Sequence, residues 1–86
     1  MAKYSIDITE SAQKEMDALN DPLFSRIDAK ISVLEDDPRP SGCRKLKGYK
    51  DQWRIRVGDY RVIYIIDDIA RVVTITRIAH RGEVYD

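Results

Sequence analysis

The stretch Gln52-Trp53-Arg54-Ile55-Arg56-Val57-Gly58-Asp59-Tyr60-Arg61-Val62-Ile63-Tyr64-Ile65-Ile66 decides the fold. Trp53, Ile55 and Val57 alternate with Arg54 and Arg56. A strand over 52–57 therefore puts three apolar side chains on one face and two guanidinium groups on the other. Gly58-Asp59 between two strand-like runs is the composition of a tight hairpin. The return run over 60–66 is apolar on both faces apart from Arg61, the pattern of a central strand. Asp67-Asp68 turns the chain again, and the β-branched run over 72–78 makes a last strand. Before the hairpin, residues 44–47 are a short strand candidate, followed by a turn at Gly48 and Lys50-Asp51.

Toward the N-terminus the hydrophobic period changes. Tyr4, Ile6 and Ile8 alternate with Ser5 and Asp7, as in a half-buried strand. Thr9 is placed to cap a helix, with Glu10 at its positive end. Ala12, Met16 and Leu19 give that helix one apolar face, and Asn20 is its expected stop. Asp21-Pro22 has the pattern of an N-cap followed by proline at the first helical position. Leu23, Phe24, Ile27, Ile31 and Leu34 form the buried stripe of this second helix. Asp36-Asp37-Pro38-Arg39-Pro40 ends it, because a residue before proline is pushed out of helical geometry. The expected order is β-α-α-β-β-β-β. This is an α+β domain with a helix hairpin packed on one face of a mainly antiparallel sheet.

Composition narrows the function classes. The 86 residues suffice for one domain, spanning 1–86. The longest apolar run, over 62–66, is too short for a membrane span. The single cysteine, Cys43, excludes an internal disulfide and a cysteine-rich zinc site, and makes the cytoplasm the expected address. No cofactor motif is present. Net charge is zero, but residues 1–43 carry five basic and nine acidic side chains, and residues 44–86 carry ten and six. Arg44, Lys45, Lys47, Lys50, Arg54, Arg56 and Arg61 crowd into 44–61 against only Asp51 and Asp59. That density suits a phosphate-binding surface, and it also fits a solvated sheet face with scattered ion pairs.

Three strings in this chain together resemble the RelE/ParE toxin superfamily. Residues 53–64 follow its basic strand and Gly-x-Tyr-Arg hairpin. Ile78-Ala79-His80-Arg81-Gly82-Glu83-Val84-Tyr85 resembles the ending of the RelE branch. Asp37-Pro38-Arg39-Pro40 with Lys45-Leu46-Lys47-Gly48 resembles the connection from helix hairpin to sheet. The resemblance implies a toxin of a type II toxin–antitoxin system that enters the ribosomal A site and cleaves mRNA. It also implies a cognate RelB-like antitoxin, with operator DNA bound only through the antitoxin complex and no role at a membrane. The alternative within the superfamily is a ParE-like toxin acting on DNA gyrase through protein contacts. Arg54, Arg56 and the terminal Arg81 and Tyr85 favour the RelE branch.

Metal-free RNA cleavage by the 2′-oxygen needs a base, donors for the developing phosphorane charge, and an acid for the leaving 5′-oxygen. Arg54 and Arg56, with Lys45 and Lys47, are the expected RNA- and phosphate-binding residues. By the resemblance, Arg61 and Arg81 fall on catalytic arginines and Tyr85 on a C-terminal tyrosine. Arginine is a poor base because its pKa exceeds about 12, so His80 and Tyr85 are the expected proton-transfer groups. Plainer readings stay open at this point. Arg54 and Arg56 also fit solvent-facing strand positions, and Arg61 fits a structural pair with Asp59, Asp67 or Glu83. Trp53, Tyr60 and Tyr64 are core or sheet-packing aromatics, and Cys43 is inert.

Overall fold

A computed structural model describes residues 3–46 and 51–80. The elements are β1 (Ser5–Ile8), α1 (Glu10–Asp17), α2 (Leu23–Val33), β2 (Arg44–Lys45), β3 (Gln52–Val57), β4 (Tyr60–Asp67) and β5 (Val72–His80). One five-stranded sheet runs β1-β5-β4-β3-β2. All neighbours are antiparallel except β1 and β5, which are parallel. The α+β class and element order match the expectation from periodicity.

The helices form where the local chemistry directs. Thr9 caps α1, its Oγ1 accepting the Ala12 N–H at 3.2 Å, and Glu10 lies in the first turn. The helix ends at Asp17, earlier than the expected stop at Asn20, and Leu19 folds back with its N–H on the Met16 carbonyl. The start of α2 also differs. Pro22 occupies the cap position and the helix begins at Leu23. Asp21 acts from one residue further out, its Oδ1 accepting both the N–H and the hydroxyl of Ser25 at 3.1 and 2.6 Å. Ala12, Met16, Ile27, Ile31 and Leu34 are buried against the sheet, as their spacing predicts.

The sheet's buried face carries Ile55 and Val57 of β3, Val62, Tyr64 and Ile66 of β4, and Val73, Ile75 and Ile78 of β5. Gly58 takes φ +60° in the β3–β4 turn, a left-handed conformation that glycine adopts without the steric cost of a Cβ. In β5 the simple alternation breaks. Ile63 pairs with Arg77 and Tyr64 with Ile75, so Thr76 is an extra residue whose hydroxyl donates to the Ile63 carbonyl at 3.2 Å. This bulge turns Ile78 to the core, where strict period two from Ile75 would have put Arg77. It also carries β5 two residues beyond the expected end, to His80. β2 is correspondingly shorter than the expected 44–47 within the described residues.

Tyr64 ties the core to the proline-rich connection. Its ring is fully buried, and its hydroxyl donates to the Pro38 carbonyl at 2.8 Å. Burial, with the Cys43 thiol beside it, raises the phenol pKa and keeps that donor protonated. Tyr64→Phe leaves the carbonyl without this donor, and the expected loss is about 1–3 kcal/mol in urea denaturation. An unchanged midpoint would show that water replaces the bond.

At the far end of the sheet, Asp68 ties two distant segments together. Arg39 donates to both of its oxygens at 3.2 and 2.9 Å, and Tyr4 donates to Oδ1 at 2.6 Å. The Arg39 fork, then the Tyr4 hydroxyl, holds the Asp68 pKa down at about 2, against an ordinary 3.8. A carboxyl lowered on folding stabilises the fold fully above its unfolded pKa. That contribution disappears as the pH falls from 3.8 toward about 2. Asp68→Asn is therefore expected to flatten this acid limb in thermal denaturation. Superimposable acid limbs would mean that the exposed cluster contributes nothing.

Candidate functional site

Register alone assembles a row of arginines. Arg54 and Arg56 project from the face of β3 opposite Ile55 and Val57, as alternation predicts. Arg56 lies directly across from Arg61 on β4, and Arg61 lies across from Ala79 on β5. On the other flank, Arg44 of β2 lies across from Arg54. Arg44, Arg54, Arg56 and Arg61 thus share the sheet face that the helices leave uncovered, while Arg77, across from Ile63 on the same face, is drawn to the sheet edge by Glu15. Arg54 is only 4% exposed, Arg61 is half-buried and Arg56 is exposed. An anion laid across the row would meet several guanidinium forks at once. Reduced access to water also strengthens the field that such an anion would feel.

The other expected site residues are placed differently. Lys45 is paired with Trp53, so its register belongs to the helix side of the sheet, and its Nζ lies 3.1 Å from Asp51 Oδ1. It does not join the arginine row. His80 lies across from Tyr60, with ring centroids 5.4 Å apart in an edge-on contact. Tyr60 shares the core-side face with Val57 and Val62, so His80 sits at the exposed strand end on that side. The register therefore separates His80 from Arg56 and Arg61. Lys47, Arg81 and Tyr85 lie outside the described residues. Trp53, Tyr60 and Tyr64 pack on the core, as expected of sheet aromatics.

Two residues were not singled out by motif. Arg44 joins the row only through a two-residue strand, and nothing in its sequence neighbourhood reveals its pairing with Arg54. Glu15 of α1 accepts the Ile78 N–H through Oε1 at 2.8 Å and Arg77 Nε through Oε2 at 3.1 Å. Its partners are more than sixty positions away, beyond the reach of any local signal.

The row has a limited chemical repertoire. Arginine keeps its charge at any working pH and presents a planar fork, so it binds and stabilises oxyanions but does not exchange protons readily. Arg56 also borders a cavity of about 210 Å³ between α2 and β3, lined by Lys30, Val33, Pro40, Ser41, Gly42 and Ile55. Two cations and no carboxylate line it, so the positive surface continues around the edge of β3 onto an apolar floor. Among the described residues, no three His, Cys, Asp or Glu side chains converge to hold a metal ion.

Comparison with known proteins agrees with this fold. Residues 6–85 match the family described as the ParE toxin of type II toxin–antitoxin systems, parDE. The chain is 26% identical over 86 residues to a candidate toxin, RelE1, of Methanocaldococcus jannaschii, covering 96% of each chain. Its fold superimposes with a TM-score of 0.82 on the archaeal RelE–RelB complex from Pyrococcus horikoshii, at 30% identity and 94% and 98% coverage. The intact E. coli RelBE toxin–antitoxin complex gives 0.80, at 26% identity and 90% and 95% coverage. With the match spanning nearly every residue, the chain belongs to the ParE toxin family of type II toxin–antitoxin systems, on the RelE-like side of the RelE/ParE superfamily.

Proposed function

We propose that this protein is a ribosome-dependent endoribonuclease that cleaves mRNA in the A site, arrests translation and is neutralised by a RelB-like antitoxin. The observation that carries this reading is the row of Arg44, Arg54, Arg56 and Arg61 across one sheet face. Its spacing suits a phosphodiester backbone. In the proposed reaction the ribose 2′-oxygen attacks the adjacent phosphorus while a base removes its proton. The phosphorus–5′-oxygen bond then breaks, the 5′-oxygen takes up a proton, and a 2′,3′-cyclic phosphate remains. Arg54 and Arg56 clamp the phosphate, with Arg44 extending the clamp. Arg61 and Arg81 donate to the equatorial oxygens as their charge grows.

Proton transfer falls first to Tyr85. His80 is the second candidate, because its register across from Tyr60 requires the RNA to bend around the end of β5. Lys47 belongs with the backbone contacts, and Lys45 contributes at most at the rim, where Asp51 competes for it. No cofactor enters the scheme. The antitoxin segment expected here is acidic and amphipathic. The charge of the arginine row and the apolar floor of the neighbouring cavity suit such a chain folding as it wraps. RelE–RelB complexes among the similar structures support that partner. Operator DNA would be bound through the antitoxin complex, and the toxin would act in the cytoplasm, where the ribosomes are.

The deciding experiment is cleavage of a short mRNA by purified protein with and without programmed ribosomes, with 5′ ends mapped by primer extension. Cuts within the A-site codon only when ribosomes are present are expected. The family description favours one other reading, inhibition of DNA gyrase through protein contacts. Growth arrest without cleavage, together with loss of supercoiling activity, would establish that reading instead.

A further inference from the structure

The end of β5 is held from outside the sheet. β1 pairs with β5 only as far as Ile8 opposite Ile75. Past that point, no other strand among the described residues lines the edge of β5 that faces away from β4. A backbone N–H at such an edge must find water or a side chain. For Ile78 the acceptor is Glu15 Oε1 on α1, at 2.8 Å, while Oε2 of the same carboxylate takes Arg77 Nε at 3.1 Å. Both are charge-assisted bonds, stronger than neutral ones. They fall directly after the bulge at Thr76, where the β4–β5 ladder is interrupted. Ile78 lies across from Val62, and the next pair in the ladder is Ala79 with Arg61.

Docking of α1 does not itself require this carboxylate, because Ala12 and Met16 already bury the helix on the sheet. What Glu15 adds is a fixed register for residues 77–80, directly after the bulge. We propose that Glu15 is a positioning residue of the toxin's reaction. Its carboxylate holds residues 77–80 of β5 in one register, so that Arg61, across from Ala79, meets the scissile phosphate in one geometry. The inference rests on the ribonuclease reading above.

The test compares wild type, Glu15→Ala and Glu15→Gln in ribosome-dependent cleavage, at a temperature where circular dichroism shows all three folded. A misplacement of about 1 Å in a catalytic constellation costs about 10²-fold in rate. Glu15→Ala is therefore expected to lower kcat by about that factor while KM for programmed ribosomes and antitoxin affinity stay unchanged. Glu15→Gln keeps an acceptor for the Ile78 N–H and is expected to recover most of kcat. Hydrogen exchange at the Ile78 amide should accelerate in the alanine variant and not in the glutamine variant. Wild-type kcat in Glu15→Ala would overturn the proposal. So would a parallel fall of kcat, antitoxin affinity and global stability, which marks a purely structural residue. Absence of cleavage by the wild type would overturn the ribonuclease reading, and exchange at Ile78 would then decide the anchoring separately. Unchanged protection in Glu15→Ala would overturn that as well.

Discussion

Arg61→Ala is expected to lower ribosome-dependent cleavage by about 10²–10³-fold, the cost of removing one donor from a developing oxyanion. Growth arrest should disappear with it. Arg61 sits on β4 between Arg56 and Ala79, away from the helix-packed face, so its removal leaves the core side chains in place. The variant should therefore fold and still bind antitoxin. Arg61→Lys keeps the charge and loses the fork, and its rate should fall between alanine and wild type. The checks are single-turnover cleavage on programmed ribosomes, antitoxin co-purification and growth on induction. Full toxicity from folded Arg61→Ala would remove this residue from the mechanism and reduce the arginine row to a binding surface.

Ile75→Ala is expected to have the largest effect on stability, about 2–5 kcal/mol. Ile75 is fully buried and lies across from Tyr64 on one side and Ile8 on the other. It therefore joins the parallel edge strand to the antiparallel body of the sheet, directly before the bulge. Close-packed neighbours cannot collapse fully into the space left by the lost carbons. For a domain of this size the loss corresponds to a fall in Tm of roughly 10–30 °C, large against the roughly 5–15 kcal/mol that holds such a domain together. Urea and thermal denaturation would measure it. A loss below about 1 kcal/mol would show that the site relaxes far more than core packing allows.

The cationic face and the buried core respond to different rules, and this separates what was legible in the chain from what was not. Periodicity is a local property. The alternation of Ile55 and Val57 with Arg54 and Arg56 identified β3 and its cationic face. The spacing of Ile27, Ile31 and Leu34 identified the buried side of α2, and Thr9 marked the start of α1. These depend only on backbone geometry between near neighbours. Three strings in the correct order sufficed for the superfamily.

Pairing is not local, and the tertiary structure alone decided it. β1 and β5 come from opposite ends of the described chain, and their parallel register has no signature in either segment. The bulge at Thr76 reset the faces of β5, so alternation from Ile75 does not hold at Arg77 and Ile78, and the strand runs to His80, two residues past its expected end. Arg44, which adjoins the expected site residue Lys45, took that lysine's place on the arginine face. A one-residue difference in a strand reverses the side on which a side chain emerges. The same rule separated His80 from the arginines, although motif order had set them together. Amino-acid order by itself determined which residues could bind phosphate and which could form a core. The hydrogen-bond ladder between distant strands decided which of them share a face.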